Sequence, residues 1–221
     1  MQHWLQCVYA GDIAGGMGSS RPALALRLLE DQPALAQQIA ADPWLACAVG
    51  DLAVLRAATA QDPGWLHRPG GPLALPPLVA VTHSSLLRLP EWRERLHACA
   101  RLLLDAGADV NQATGSRWPP ASPAAPAADA PLSALYGAAG RNHDAVLTQL
   151  LLDAGANPND GESLYHALED TGCTRLLLQA GARVTGSNAM YRVLDLDALE
   201  VLQLLLAHGG NANEPGHGPW N

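Results

Sequence analysis

One phrase occurs four times in this chain of 221 residues: three consecutive leucines, two further residues, then glycine. It reads Leu102-Leu103-Leu104-Asp105-Ala106-Gly107, Leu150-Leu151-Leu152-Asp153-Ala154-Gly155, Leu176-Leu177-Leu178-Gln179-Ala180-Gly181 and Leu204-Leu205-Leu206-Ala207-His208-Gly209. A polar turn follows each: Asp109-Val110-Asn111, Asn157-Pro158-Asn159, Arg183-Val184-Thr185 and Asn211-Ala212-Asn213. Internal repetition constrains architecture before any single residue does, because each copy buries its apolar face only by stacking on a neighbour. A stack of that kind offers an extended surface for recognition rather than an enclosed pocket for chemistry.

Each phrase reads as the end of a helix. Apolar residues three and four positions back, as with Val146, Leu147, Leu150 and Leu151, give a broad apolar face. The glycine beyond it suits the left-handed C-terminal position, where a side chain would clash. A shorter helix precedes each of the last three, marked by Leu135-Tyr136-Gly137-Ala138, Leu164-Tyr165-His166-Ala167 and Met190-Tyr191-Arg192-Val193. The expected fold class is therefore all-α, with Leu103, Leu151, Leu177 and Leu205 buried between layers, and Leu199, Leu202 and Leu206 in the last complete unit.

Two short helices, a tight turn and an extended finger resemble the ankyrin repeat. Pro131-Leu132, Ala138-Ala139, Asn142-His143, Leu150-Leu151-Leu152 and Gly155-Ala156 carry that pattern. The resemblance implies an ankyrin-like helical solenoid with short finger loops. It places Tyr136, Tyr165 and Tyr191 at the buried inner-helix position, Asn142 at the turn glycine, and His143 as a structural turn histidine. The repeat-ending glycines are 48, 26 and 28 residues apart, against roughly 33 for the ankyrin period. The long interval holds an insertion in which Pro119, Pro120, Pro123, Pro126 and Pro131 forbid regular helix, so residues 113–130 read as a looped-out or mobile segment. In the short unit after Gly155, Thr171-Gly172-Cys173 reads as the abrupt turn.

Residues 1–20, with Gly15-Gly16-Met17-Gly18, read as a flexible N-terminus, and 21–66 as irregular N-terminal helices with a degenerate repeat. There Pro22 and Asp42-Pro43 are helix openers, and Gly50-Asp51 separates two helices. Full repeats are expected at 72–112, 131–160, 161–187 and 188–213, with 83–94 as an extra segment before the helix through Arg95. Residues 214–221 read as the start of a further repeat, so that either the natural product continues or the last repeat is left open.

All thirteen basic residues are arginine and phenylalanine is absent, a bias that fits a GC-rich bacterial genome. A formal charge of −8 lacks the cationic footprint that nucleic-acid binding needs. No apolar run reaches the length of a membrane span, and no basic region opens a signal peptide. Cys7, Cys47, Cys99 and Cys173 form no Cys-x-x-Cys pair and are expected as reduced thiols in a cytoplasmic, monomeric protein. No histidine pair has ligand spacing, no Gly-x-Ser-x-Gly elbow occurs, and Glu169-Asp170 and Asp195/Asp197 read as surface charge rather than an acid–base pair. No metal, cofactor or enzymatic activity is expected.

The function expected is a protein-binding module using the concave face of its later repeats. The residues placed there are Asp160, Glu162, His166, Glu169, Asp170, Arg192 and Asp195, with His166 and Arg192 pointing outward beside their tyrosines. Acidic residues dominate, so a basic or mixed-charge protein partner is favoured. Two alternatives stand beside this: the targeting arm of a larger protein with an effector domain beyond Asn221, and an acidic immunity or antitoxin protein covering a basic partner.

Overall fold

Proline opens five of the helices in the first 105 residues, where its missing N–H costs nothing and its fixed φ suits the helix. These are α3 (Pro22–Asp31), α4 (Pro33–Ala41), α5 (Pro43–Val49), α7 (Pro77–Thr82) and α8 (Pro90–Asp105). The computed structural model describes residues 1–214. It is predominantly helical, with a single two-stranded sheet among the described residues. The chain divides into two units, Met1–Ala134 and Leu135–Asn221.

In the first unit, α5 and α6 (Leu52–Gln61) form the expected helix-turn-helix. Asp42 accepts from the Trp44 and Leu45 N–H groups, Asp51 from those of Ala53 and Val54, and Gly50 takes the left-handed turn at φ +64°. The next pair is α7 and α8; α5 packs on α7, and α6 on α8. Residues 83–94 are not an extra segment. A 3₁₀ turn (Ser85–Arg88) leads to Pro90, which starts α8 a turn and a half before Arg95.

Residues 1–20 are not a flexible N-terminus. They contain α1 (Gln2–Val8) and α2 (Gly11–Ala14), with Trp4, Cys7, Val8, Tyr9 and Ile13 buried. The Tyr9 hydroxyl donates to the Ala80 carbonyl at 3.0 Å, and the Arg21 N–H to that of Cys7 at 2.7 Å. Residues 113–130 are not looped out either. They form most of an antiparallel hairpin, β1 (Ala113–Ser116) with β2 (Ala127–Ser133), bulged between Gly115 and Ser116. The prolines forbid helix as expected; Pro119, Pro120 and Pro123 lie in turns, and Pro131 pairs with Gly115 within the sheet. Arg117 fixes it: the side chain is 1% exposed and donates from Nη2 to the Leu73 carbonyl at 2.6 Å and from Nη1 to Thr114 Oγ1 at 3.0 Å and the Gly115 carbonyl at 3.2 Å. Burial pulls its pKa below the usual guanidinium value while the buried Asp12 carboxylate pulls it back up, and the Arg117 N–H donates to the Asp12 carbonyl.

In the second unit, α9 (Ala134–Tyr136) runs into a π-helical turn (Gly137–Arg141), followed by α10 (Ala145–Asp153). The pairs α11 (Ser163–Ala167) with α12 (Thr171–Gln179), and α13 (Ala189–Leu194) with α14 (Leu199–Ala207), come next. First helices pack on first helices, the π turn on α11 and α11 on α13; second helices pack on second helices, α10 on α12 and α12 on α14. The π turn adds one residue to its connection, so the left-handed position falls on His143 (φ +50°) while Asn142 stays right-handed. The abrupt turn of the short unit is Leu168–Asp170; Thr171–Cys173 is already helix, because Asp170 caps it.

The repeated phrase folds alike in all four copies. Gly107, Gly155, Gly181 and Gly209 have φ between +89° and +94°. Each glycine N–H donates to the last leucine of its phrase, and the following N–H (Ala108, Ala156, Ala182, Gly210) donates to the carbonyl of the middle leucine. This pair of bonds closes the orphan carbonyls of a helix end. The middle leucines Leu103, Leu151, Leu177 and Leu205 are fully buried, and the three alanines pack beneath them. Residues 215–221, and with them most of the segment read as a further repeat, lie outside the described residues.

Candidate functional site

The seven acidic and basic residues singled out from the sequence lie on α11, α13 and the turns around them, and the structure divides them into two groups. Asp160 and Asp170 hold backbone. Asp160 accepts from the Glu162 N–H at 3.1 Å, the Ser163 N–H at 2.8 Å and the Ser163 hydroxyl at 2.6 Å, closing the turn that starts α11. Asp170 accepts from the Cys173 N–H at 2.7 Å, as Asp144 does from that of Leu147 at 2.9 Å. A short carboxylate before a helix satisfies donors that have no partner within it. These two part-exposed carboxylates also hold the backbone of the turns they stand in.

The other five form a paired surface. The His166 ring lies 5.2 Å from the Tyr136 ring and 5.0 Å from the Tyr165 ring, edge-on to the latter, and its Nε2 is 3.2 Å from Glu162 Oε2. The Arg141 guanidinium stands 5.2 Å over the Tyr136 ring. Gly140 makes this approach possible, since a Cβ there would sit 2.7 Å from the Tyr136 ring and 2.8 Å from His166 Cβ. Arg192 donates to Glu169 at 2.8 Å and lies 3.9 Å from Asp195. The carboxylates of this trio are the accessible ends, with Glu169 56% and Asp195 74% exposed.

His166 and Arg192 are half-buried. The tyrosines do not share one environment: Tyr136 is fully buried, Tyr165 half-buried and Tyr191 exposed. The buried positions of α13 are Ala189, Met190 and Val193, which leaves Tyr191 and Leu194 on its outer side. Leu194 and Leu199 are 71% and 67% exposed, with Asp195 and Asp197 between them. This mixed apolar and acidic edge was missed in the sequence because a leucine count assigns every leucine to the core. The buried period at 189, 190 and 193 is the signal that separates Leu194 from it.

Charge is unevenly divided. The second unit carries ten carboxylates against four arginines, the first eleven against nine. Among the described residues, no group of three His, Cys, Asp or Glu side chains could hold a metal ion. All four cysteines are free and buried. Burial pushes the Cys99 and Cys173 thiols up to about 12, the direction opposite to that of a nucleophilic thiolate. No helix among the described residues is long and apolar enough to cross a membrane. No family model and no curated protein matches the chain.

Proposed function

We propose that the chain is a non-enzymatic, ankyrin-like repeat protein that acts as a monomer and binds a protein partner through the face formed by α11, α13 and the turn that follows. The observation that carries this reading is the fourfold recurrence of one device: a buried middle leucine, a left-handed glycine and the two bonds between them. The layering of first helices on first helices and second on second within each unit supports the same reading, as does Asn159. That side chain donates to the Gly181 carbonyl at 3.2 Å and accepts from the Arg183 N–H at 2.8 Å, joining one finger to the next. Repeated units that differ mainly in their exposed residues are suited to recognition.

The partner-facing residues in this reading are Glu162, His166, Glu169, Arg192 and Asp195, with Tyr191, Leu194 and Leu199 supplying apolar contact. The accessible carboxylates favour a basic or mixed-charge protein, with charge acting chiefly on the rate of encounter. Affinity purification with mass spectrometry identifies the partner. The double variant Glu169→Arg/Asp195→Arg should then leave the melting curve unchanged and slow association, most at low salt. Association at the wild-type rate at every salt concentration would refute this placement of the site.

A further inference from the structure

Between α3 and the first turns of α8 lies an open groove of about 500 Å³, lined by Leu26, Leu29, Glu30, Glu91, Trp92 and Arg95. Helical spacing explains the lining. Leu26, Leu29 and Glu30 are three and four residues apart on α3, and so share a side. Leu26, Leu29 and Trp92 are only half-buried, leaving an apolar floor in contact with water. Glu91 and Arg95 stand at i and i+4 with the acid first, the spacing that favours an ion pair on a helix surface. Arg95 instead lies over the Trp92 ring, 4.5 Å from its centre. The Glu91 and Glu30 carboxylates thus make no ion pair or hydrogen bond among the described residues, although an arginine is within reach of one of them.

An apolar floor with two unpaired carboxylates on its rim has a definite complement. We propose that this groove receives a basic amphipathic helix of a partner protein. A leucine-like side chain of that helix rests on Leu26, Leu29 and Trp92, and lysine or arginine on its flanks meets Glu30 and Glu91. The volume falls within the range of ligand sites, but the groove is open along one side, which suits side chains presented by a helix. Flanking ammonium or guanidinium groups form charge-assisted bonds with the two carboxylates that none of the described residues supplies. The site shares no residue with the α11 and α13 face, and the argument for it does not depend on that face.

The probe is a fluorescein-labelled, 14-residue helical peptide of leucine and lysine, with leucines at i, i+3, i+4 and i+7, titrated against the full chain by anisotropy. Its control replaces every lysine with glutamate. Saturable binding of the lysine peptide alone is expected. Glu30→Gln/Glu91→Gln should weaken it at least fivefold at low salt and little at high salt, and Trp92→Ala at least fivefold at both. Glu169→Gln/Asp195→Gln should leave it unchanged, which separates this site from the one proposed above. The carboxamide pair keeps the packing, so it decides the matter even if Trp92→Ala lowers the melting temperature. No saturable binding overturns the proposal. So does binding that follows Glu169 and Asp195, or binding that folded Trp92→Ala leaves intact.

Discussion

Replacing Arg117 with alanine tests whether the hairpin at 113–133 is part of the frame. The side chain is 1% exposed and serves three acceptors, one of them the Leu73 carbonyl across the unit. Hydrogen bonds from charged donors contribute about 1.5–3 kcal/mol each. The buried Asp12 carboxylate supports the guanidinium electrostatically, and truncating one member of such a buried pair costs about 3–5 kcal/mol. The two terms describe overlapping interactions, so the expected loss is about 3–5 kcal/mol in total. A segment that merely loops out predicts a change below about 0.5 kcal/mol, the range of surface substitutions. Urea titrations followed by far-UV circular dichroism and by tryptophan fluorescence measure the difference, and the buried Trp4 and Trp65 report on this unit. Arg117→Lys keeps the charge but loses the fork that reaches Leu73 and Gly115 together, and should fall between wild type and alanine. The double variant Asp12→Asn/Arg117→Ala should be less destabilised than the sum of its parts by more than about 0.5 kcal/mol. An alanine variant within about 0.5 kcal/mol of wild type, or strict additivity in the cycle, would refute the argument.

Leu177→Ala, at a fully buried position, should lower stability by about 2–5 kcal/mol in the same titrations; an unchanged midpoint would remove the middle leucines from the core. Gly155→Ala should cost about 1–2 kcal/mol, through its positive φ alone, since nothing lies within 4 Å of the added carbon. Gly140→Ala should cost about 1–3 kcal/mol by overpacking against Tyr136 and His166, and should broaden the His166 ring resonances in NMR. Burial raises the Cys99 and Cys173 pKa values from 9.0 to about 12, so the unfolded chain loses these protons first. Their contribution is therefore complete below about pH 9 and is lost as pH rises towards 12, with a slope of about 1.4 kcal/mol per pH unit for each thiol. Melting curves from pH 8 to 11 should show this loss, and Cys99→Ala with Cys173→Ala should flatten it. Amide exchange in α14, where Leu199 and Leu206 are 67% and 45% exposed, should be faster than in α12; equal protection would mean that this layer has its own seal.

The helix pairs from residue 134 onward are legible in the sequence because their signals are local. Leucine spacing, a glycine three residues after the last leucine and an aspartate before the next helix all act within one turn of the residues they govern. The same locality makes the aspartates readable in retrospect. Asp51, Asp144 and Asp170 each stand immediately before a second helix, so Asp170 shares the capping role that a reading by charge alone does not show. Residues 1–14 and 113–133 fail for the opposite reason. Neither carries a strong periodic pattern, and each is held by contacts far away in sequence, Tyr9 to Ala80, Arg21 to Cys7 and Arg117 to Leu73 and Asp12. Pro119, Pro120 and Pro123 mark turns correctly, but turn residues say nothing about whether a turn is packed. Tyr191 shows a third limit. It repeats the pattern of Tyr136 in sequence, yet its helix buries Ala189, Met190 and Val193 instead.

The bond between Arg117 and Asp12 also sets an order of events during synthesis. Most helices of the first unit pack on elements nearby in the chain and can do so as they leave the ribosome. The first fourteen residues have a partner that emerges more than a hundred residues later. Closing so long a loop is slow compared with pairing adjacent helices. Trp4, Cys7 and Val8, all buried in the finished unit, lie on α1, which packs on the nearby α3, so much of their cover is local. The α1–α3 contacts and the Arg21–Cys7 and Tyr9–Ala80 bonds need only residues up to 80, so the hairpin that brings Arg117 to Asp12 is the last element to join this part of the unit.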